Sequence, residues 1–217
     1  MMTHQDKIHN HFSKIAPLYR DIRTTDLQPI RFISKRLKGL KTIRAADIGC
    51  GAGRYSLLLF KHLNNLHLTC IDVNESMLKQ ASAYLKGNGV HRFITVKANA
   101  CDLPLKDKDM DCVFTFNAIH HFHFLRFVEK AAAITKEGGF IFIYTRLQSQ
   151  NARNIWGRYF PLFLEKEERL YELNDIIGAL DSTSCSTMES IKTFKFRRKA
   201  TLDHLFDKVR KRHYSTF

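Results

Sequence analysis

The chain of 217 residues lacks several features that would assign it to a protein class at once. No apolar run reaches the roughly 18 residues needed to span a bilayer, so the sequence does not predict an integral membrane protein. The opening residues contain no apolar h-region, so we expect no secretory signal. The chain also has no internal repeat, low-complexity tract or clear linker. Its length predicts one domain with a sizeable core.

Cysteine is scarce and scattered. The five cysteines form no Cys-x-x-Cys pair and no ligand spacing typical of zinc, so we expect no metal site. Cysteine in strand-like apolar runs acts as a small hydrophobic residue, and a cytoplasmic, reducing location is the simplest setting for all five. They are Cys50, Cys70, Cys101, Cys112 and Cys185.

Acidic residues are few: 21 Asp and Glu stand against 35 Lys and Arg, for a net charge of +14. Two basic clusters hold much of the excess. The first comprises Arg31, Lys35, Arg36, Lys38, Lys41 and Arg44, and the second comprises Lys192, Lys195, Arg197, Arg198, Lys199, Lys208, Arg210, Lys211 and Arg212. Such an excess attracts nucleic acid or anionic lipid surfaces. The alternative is a solvated surface without a partner, and no known nucleic-acid-binding signature decides between them.

The order of elements predicts an α/β fold. Residues 1 to about 40 have a helical pattern that Pro17 interrupts. Strands and helices then alternate, which predicts a Rossmann-like, doubly wound, mostly parallel sheet with helices on both faces. The predicted strands are Ile43–Ile48, His67–Asp72, Phe93–Ala98, Met110–Phe116 and Phe140–Tyr144. The predicted helices between them are Tyr55–Leu63, Glu75–Gly87 and Leu125–Thr135, with a turn at 137–139 before the fifth strand.

The pattern loosens after Thr145, where we expect a lid segment. An aromatic stretch, Asn151–Phe160, either closes over a substrate or anchors the segment to the sheet. The predicted elements after it are a charged helix (165–180), a sixth strand (188–196), a basic amphipathic helix (202–212) and the beginning of a further strand (213–217). These predictions divide the chain into an N-terminal helical cap (1–40), a core (41–145) and a lid with C-terminal elements (146–217).

A glycine-rich turn is the most informative feature. Asp47, Gly49, Gly51 and Gly53 form an Asp-x-Gly-x-Gly-x-Gly pattern between a strand and a helix. A dinucleotide fingerprint instead places its third glycine three residues after the second and holds a pyrophosphate. A carboxylate at this point repels a pyrophosphate but suits ammonium or sulfonium charge. The pattern therefore predicts S-adenosylmethionine as the cofactor and argues against a dinucleotide oxidoreductase.

The end of the second strand carries further candidate cofactor residues. Asp72 is placed to accept hydrogen bonds from both hydroxyls of a ribose. Its alternative role is to cap the next helix, which Asn74 opens. Val73 and Met77 are candidates for an apolar wall against the adenine ring, although Met77 on its own fits a core position better.

The turns after the third and fourth strands carry polar residues at the edge where ligands of open α/β sheets bind. Asn99 and Ala100 are candidates for reading the adenine amine, and Asn117 for positioning cofactor or acceptor. His120 and His121 are candidate catalytic residues, since an imidazole can remove a proton from a phenol, enol or amine. The alternative is that they pack or cap beneath the turn. Adjacent histidines point in different directions, which disfavours a metal site.

Four ordered runs carry a resemblance to a known family: AADIGCGAGRY, CIDVNESML, ANACDLPLKDKDMDCVFTFNAIHHF and TKEGGFIFIY. Together they resemble class I S-adenosylmethionine-dependent methyltransferases, and within them the ubiquinone/menaquinone C-methyltransferase group, over about residues 10 to 145. The resemblance implies that Asp47 and Gly49 hold the methionine part of the cofactor. Gly51 and Gly53 would allow close approach, and Cys50 lies in the same turn.

The resemblance also assigns residues outside the glycine turn. It implies that Asp72 takes the ribose and that Tyr19 covers the cofactor. The family usually has an aspartate at the position of Asn99, so the adenine contact here would be weaker or pass to Asp102.

The sequence leaves three functions open. The first is in-line methyl transfer to a small or medium organic acceptor, bound by residues 1–40 and 146–180. The second is methylation of a modified wobble uridine in tRNA. Segments 118–122 and 142–144 are similar to that branch, whereas the aromatic segment after Tyr144 is not. The third is a non-catalytic cofactor-binding or scaffold protein.

Overall fold

The computed structural model describes residues 4–160 and 162–211. Its centre is a sheet of five parallel strands in the order β3-β2-β1-β4-β5. The strands are β1 (Ile43–Ile48), β2 (Leu66–Asp72), β3 (Phe93–Lys97), β4 (Met110–Phe116) and β5 (Thr135–Tyr144). Strand β1 lies in the middle and reverses the strand order on either side. In such sheets the ligand crevice lies at the carboxyl ends of the strands beside this reversal.

Helices cover both faces of the sheet and also precede it. They are α1 (His4–Ile15), α2 (Tyr19–Ile22), α3 (Leu27–Arg36), α4 (Arg54–His62), α5 (Glu75–Gly87), α6 (Phe124–Ile134), α7 (Gln148–Asn151), α8 (Ile155–Tyr159), α9 (Phe163–Lys166), α10 (Leu173–Asp181) and α11 (Leu202–Arg210). Two single-turn 3₁₀ helices span Ala16–Leu18 and Ile119–His121. Within the described residues, no helix is long and apolar enough to cross a membrane.

The core consists of two apolar layers separated by the sheet. Helices α3, α4 and α5 pack on one face, and α6 and α10 pack on the other. Strand β4 is almost entirely buried, as expected for an inner parallel strand between two helical layers. Helix α3 shares the main core with β1 through Ile30 and Ile33, so its apolar face belongs to the sheet core.

The fifth strand begins earlier than the sequence predicts. Helix α6 ends at Ile134 and β5 starts directly at Thr135. The predicted turn at 137–139 is a bulge within the strand, because Met110 pairs with Thr135 while Cys112 pairs with Phe140. Gly138 accommodates the bulge with a φ of +71°, a left-handed conformation that glycine adopts without a steric penalty.

The predicted charged helix over 165–180 is interrupted. Helix α9 ends at Lys166, and α10 begins at Leu173. Between them the buried Glu167 accepts two hydrogen bonds from Arg169. Glu172 and Asp175 then form a reciprocal capping box at the start of α10. The capping chemistry creates a second helix start inside what the sequence pattern presents as one helix.

The predicted sixth strand is wrong for the described residues: 182–201 contain no strand, and β5 is the last strand of the described sheet. Two ring contacts hold this segment instead. Phe194 lies 6.4 Å from Phe32 and 6.3 Å from Tyr144, measured between ring centroids. Side-chain packing against α3 replaces hydrogen bonding to β5. Helix α11 confirms the predicted amphipathic helix, while the predicted strand start at 213–217 lies outside the described residues.

Candidate active site

The glycine turn between β1 and α4 uses all three of its glycines in left-handed conformations. The φ angles are +72° at Gly49, +54° at Gly51 and +79° at Gly53. A Cβ atom on Gly49 would also lie 2.6 Å from the Cβ of Ala118. These angles penalise any other residue. The turn lies at the carboxyl end of β1, as the sequence predicts.

Four of the backbone amides of this turn are already engaged within the protein. The N–H groups of Gly49 and Cys50 both donate to the carbonyl of Ile71, at 2.8 and 3.0 Å. Gly51 N–H donates to Asp72 Oδ2 at 2.9 Å, and Gly53 N–H donates to the carbonyl of Cys50 at 3.1 Å. A pyrophosphate site needs amides that point at the ligand. This turn therefore does not form a phosphate cradle.

Two carboxylates of like charge lie at the turn. Asp47 is only 1% exposed, and Ser56 Oγ donates to its Oδ2 at 2.6 Å. Its Oδ1 atom is buried and has no hydrogen-bond partner among the described residues. Burial raises the pKa of Asp47 from 3.8 to about 7, more than the Ser56 hydrogen bond lowers it, and the Asp72 charge raises it further. The pair favours a cationic ligand over an anionic one.

Two neighbouring residues at the end of β2, Asn74 and Asp72, differ in their hydrogen-bond partners. Asn74 caps α5, because its side chain accepts the Met77 N–H at 3.1 Å, and it also donates to Ser13 Oγ in α1 at 2.8 Å. Asp72 instead binds the glycine turn and accepts the Asn74 N–H at 2.8 Å. Each Asp72 oxygen thus accepts one backbone N–H bond, which holds the carboxylate between the glycine turn and the start of α5.

The two candidate adenine-wall residues differ in accessibility. Val73 is 54% exposed next to Asp72, whereas Met77 is 2% exposed. Met77 packs with Ile15, Ala16 and Ala52 beneath α1. Met77 is therefore a core residue, and Val73 is the one of the two that is accessible to a ligand.

The Tyr19 ring lies next to the glycine turn. An added Cβ on Gly51 would lie 3.5 Å from Tyr19 Cε1. Two guanidinium groups lie over the Tyr19 ring, those of Arg23 and Arg54, each 5.4 Å from its centroid. The ring is therefore fixed by contacts that the sequence pattern did not reveal, and it closes the outer side of the turn.

The turns after β3 and β4 reach the same edge of the sheet. Asn99 is exposed, but its Oδ1 accepts the Cys101 N–H at 2.9 Å within its own turn, and Ala100 is buried beside it. Asp102 pairs with Asn99 in an isolated bridge. Asn117 is exposed at the end of β4 with a φ of +53°, and its N–H donates to the Tyr144 carbonyl at 2.7 Å. Backbone strain at a non-glycine residue is typical of functional sites.

The histidine pair lies on the 3₁₀ turn after β4. The rings of His120 and His121 are 4.1 Å apart, and Phe12 of α1 lies 5.3 Å from His121. Burial lowers the pKa of His120 well below its usual range and that of His121 to about 3, and the Arg169 and Arg23 charges lower both further. Both rings are neutral at physiological pH. Imidazoles this weakly basic are poor proton acceptors.

The aromatic lid prediction is corrected by the packing of its rings. Trp156 and Phe163 are buried together against Leu205 of α11. Tyr159 is 72% exposed. Trp156 and Phe163 thus anchor this part of the chain to α11. They do not anchor it to the sheet, and they do not close over the glycine turn. A cleft of about 2080 Å³ does run along β5 and reaches Asn117 and Tyr144 at the carboxyl edge, but no glycine of the turn lines it.

The sequence pattern does not predict one polar network at this edge, which is centred on Asp26. Tyr144 Oη donates to Asp26 Oδ2 at 2.8 Å, Arg198 forms an ion pair with Asp26, and the Asp26 N–H donates to Tyr55 Oη at 3.2 Å. Asp26 precedes α3, where sequence rules predict only a helix cap. It instead joins α3, α4, β5 and the 182–201 segment. Within the described residues, no group of three or more His, Cys, Asp or Glu side chains is arranged to hold a metal ion.

Comparison with known proteins agrees with this geometry. Residues 46–143 match the family model described as a methyltransferase domain. This range contains the glycine turn, Asp72 and the turn after β4. The chain contains a class I S-adenosylmethionine-dependent methyltransferase domain. S-adenosylmethionine is the cofactor of this family.

Curated relatives of this methyltransferase domain act in two different settings. The chain is 23% identical over 196 residues to a probable tRNA methyltransferase 9B from Homo sapiens, covering 88% of this chain and 37% of that protein. It is 27% identical over 118 residues to a demethylmenaquinone methyltransferase from Listeria welshimeri, covering 51% of this chain and 50% of that one. The chain thus spans half or less of the length of these relatives.

Solved structures agree on the fold. A putative methyltransferase from an antibiotic biosynthesis pathway of Anabaena variabilis is 28% identical, with a TM-score of 0.63, and covers 74% of this chain and 62% of that one. A putative S-adenosylmethionine-dependent methyltransferase from Methanococcus maripaludis has a TM-score of 0.62 at 18% identity, covering 88% and 90%. The second match shows the fold alone.

The residues present fit this cofactor. Its sulfur and its amino group are cationic, and the turn offers two carboxylates, one of them with a buried oxygen lacking a partner among the described residues. Asp72 is bonded to the turn, Val73 is exposed beside it, and glycine occupies positions 49, 51 and 53.

Proposed function

We propose that this chain binds S-adenosylmethionine on the glycine turn and transfers its methyl group to a small or medium organic acceptor. The turn itself carries the proposal: four of its amides are engaged internally, Asp72 supplies negative charge, and Asp47, with a pKa of about 7, supplies more when a cationic ligand favours its ionised form. Together these features favour a cationic nucleoside over a dinucleotide.

Each proposed binding residue has a distinct role. Asp72 accepts hydrogen bonds from the ribose hydroxyls, while its two backbone bonds hold the carboxylate in place. Val73 contacts the adenine ring, with Asn99 and Ala100 at the far end of the base. Asp47 balances the positive charge, Gly49 to Gly53 permit close approach, and Tyr19 shields the cofactor from water.

The acceptor side of the proposal follows from the neutral histidines. When bound, the cofactor supplies an electrophilic methyl group on a cationic sulfur. His120 and His121 orient the acceptor by hydrogen bonding, together with Asn117, and do not remove its proton at neutral pH. An acceptor that is already anionic or has a free lone pair suits this arrangement, because it needs no strong base.

A second candidate function is methylation of an RNA. One specific observation favours it: the segment carrying the second basic cluster packs against helix α3, which carries much of the first, beside the site. The human relative named as a probable tRNA methyltransferase supports the same reading.

Transfer of labelled methyl from S-adenosylmethionine to fractionated cell extract, with and without ribonuclease, separates the two functions. Label in ribonuclease-resistant small molecules supports the first, and label lost on ribonuclease treatment supports the second. Cofactor binding without label in any fraction would instead indicate a non-catalytic protein.

We also propose a reducing, cytoplasmic location. All five cysteines are free thiols, and Cys70 and Cys112 are buried in strands as small apolar residues. Localisation of a tagged full chain by fluorescence microscopy tests this.

A further inference from the structure

Two basic clusters that are about 150 residues apart in the sequence meet on one surface. Arg36 of α3 forms an ion pair with Glu189, and its guanidinium lies 5.3 Å from the Phe140 ring centroid in the middle of β5. Further along, Phe194 packs on Phe32 of α3. Residues 189–199 therefore lie against α3.

The basic side chains of this surface are exposed and lack acidic partners. On α3 and the turn after it they occupy every third or fourth position, which places them on one side of the helix, next to the face contacted by residues 189–194. We call the following set the basic surface: Arg31, Lys35, Lys38, Lys192, Lys195, Arg197 and Lys199. Within residues 4–160 and 162–211, none of them forms an ion pair.

Acidic charge near the basic surface is already neutralised. Glu189 is the only acidic residue between positions 182 and 200, and it pairs with Arg36. Asp26 pairs with Arg198 and binds Tyr144. The net field of this side of the molecule is therefore positive, which concentrates polyanions near it.

The basic surface leads to the candidate active site. The Arg36–Glu189 pair lies beside Phe140 in the middle of β5, whereas Arg198 contacts Asp26 beside Tyr144 at the carboxyl end of the same strand. The segment between them thus runs along the flank of β5 from its middle to its carboxyl end. A polymer bound along it would reach the edge that carries Asn117.

The side-chain pattern favours a nucleic acid over a membrane. Phe194 packs inward against Phe32 and Tyr144, and Phe196 lies beneath the Arg198 guanidinium at 5.6 Å. The charged residues between and beyond them are exposed, and Ile191 is the one large apolar side chain of residues 189–199 that is exposed beside them. Membrane surfaces are bound by exposed apolar side chains next to basic ones, whereas phosphate backbones need only the basic ones.

We propose that the basic surface binds the phosphate backbone of a nucleic acid and directs it towards the carboxyl edge of the sheet. This extends the RNA-directed form of the proposed function. It concerns docking only, and its test requires no methyl transfer, so the failure of one is distinguishable from the failure of the other.

Fluorescence anisotropy of a labelled single-stranded RNA of about 20 nucleotides, titrated with the full chain at several salt concentrations, tests the proposal. Engagement of five to seven basic side chains predicts that log K falls with log salt at a slope of about −3.5 to −5. The double variant Lys195→Gln/Arg197→Gln should bind more weakly and flatten the slope by about 1.4, which is 0.7 for each lost phosphate contact.

The matched control is Arg126→Gln/Lys130→Gln. Both residues are exposed and lie on α6, on the opposite face of the sheet. Their substitution removes the same amount of charge as Lys195→Gln/Arg197→Gln. An unchanged slope in this control supports the proposal. Equal weakening by both double variants, no RNA binding by the wild type at low salt, or binding to anionic phospholipid vesicles in place of RNA would each overturn it. S-adenosylmethionine titration of every variant should remain unchanged and reports on the fold.

Discussion

The buried carboxylate of Asp47 should make the stability of the protein depend on pH in an unusual direction. Asp47 has a pKa of about 7 in the folded chain against 3.8 for a free side chain. Between these values the folded protein holds a proton that the unfolded chain has released. Its contribution therefore disfavours folding increasingly as pH rises from about 4 to 7, and is constant above that.

The magnitude follows from the difference in pKa. At 1.36 kcal/mol per pH unit, ionising Asp47 in the folded chain lowers the free energy of unfolding by about 4 kcal/mol in total. About 2.6 kcal/mol of this loss occurs between about pH 5 and about pH 8. The histidine pair acts oppositely, because both rings are held neutral and folding is disfavoured as pH falls below 6.5. A comparison with Asp47→Asn isolates the carboxylate, since the other groups titrate in both proteins.

Urea unfolding of the two proteins at about pH 5, 6, 7 and 8 measures the effect. The Ser56 hydroxyl can still donate to the amide oxygen in Asp47→Asn. The free energy of unfolding of the variant minus that of the wild type should rise by about 2.6 kcal/mol from the lowest to the highest pH. This rise does not depend on how the two proteins differ in stability at any single pH. A difference that is flat across this range would refute the reasoning that Asp47 is buried and uncompensated in the ligand-free chain.

Three further predictions test the turn and its surroundings. Gly49→Ala should destabilise the protein by at least about 1–2 kcal/mol, because the φ of Gly49 is +72° and the new Cβ would meet Ala118. Gly178→Ala, in open space on α10, should stabilise it by about 0.5–1 kcal/mol. Thermal unfolding that ranks the two variants in the opposite order would be inconsistent with this turn geometry. Tyr19→Ala should weaken S-adenosylmethionine binding, chiefly through faster dissociation in stopped flow, and an unchanged dissociation rate would remove the covering role. His121 should show no protonation between about pH 5 and 8 by NMR, and a transition near 6.5 would contradict its burial.

Much of the fold was predictable because parallel strands and their helices have strong local signals. The bounds of β1, β4 and α5 agree with the sequence prediction to the residue. The errors lie where long-range packing overrides local pattern. The bulge in β5 absorbs a predicted turn, and Phe194 anchors its segment by side-chain contacts where the alternation indicates a strand.

The candidate site was predictable in composition but not in detail. The sequence placed Asp47, Asp72 and Tyr19 together, and the structure brings all three to the glycine turn. It left the choice between a cofactor contact and a core position for Met77 open, and it did not reveal that burial makes the histidines weak bases. Both depend on how α1 packs over the edge of the sheet, which no local periodicity encodes.

Calorimetric titration of S-adenosylmethionine into the full chain tests the central claim most directly. The wild type should bind one equivalent, and Asp72→Asn should bind about 10–100-fold more weakly, as expected when a charged hydrogen-bond partner is lost. Asp107→Asn, at an exposed position before β4, is the matched control and should bind like the wild type. No binding by the wild type, or equal affinity in Asp72→Asn and the wild type, would contradict a cofactor site at the glycine turn.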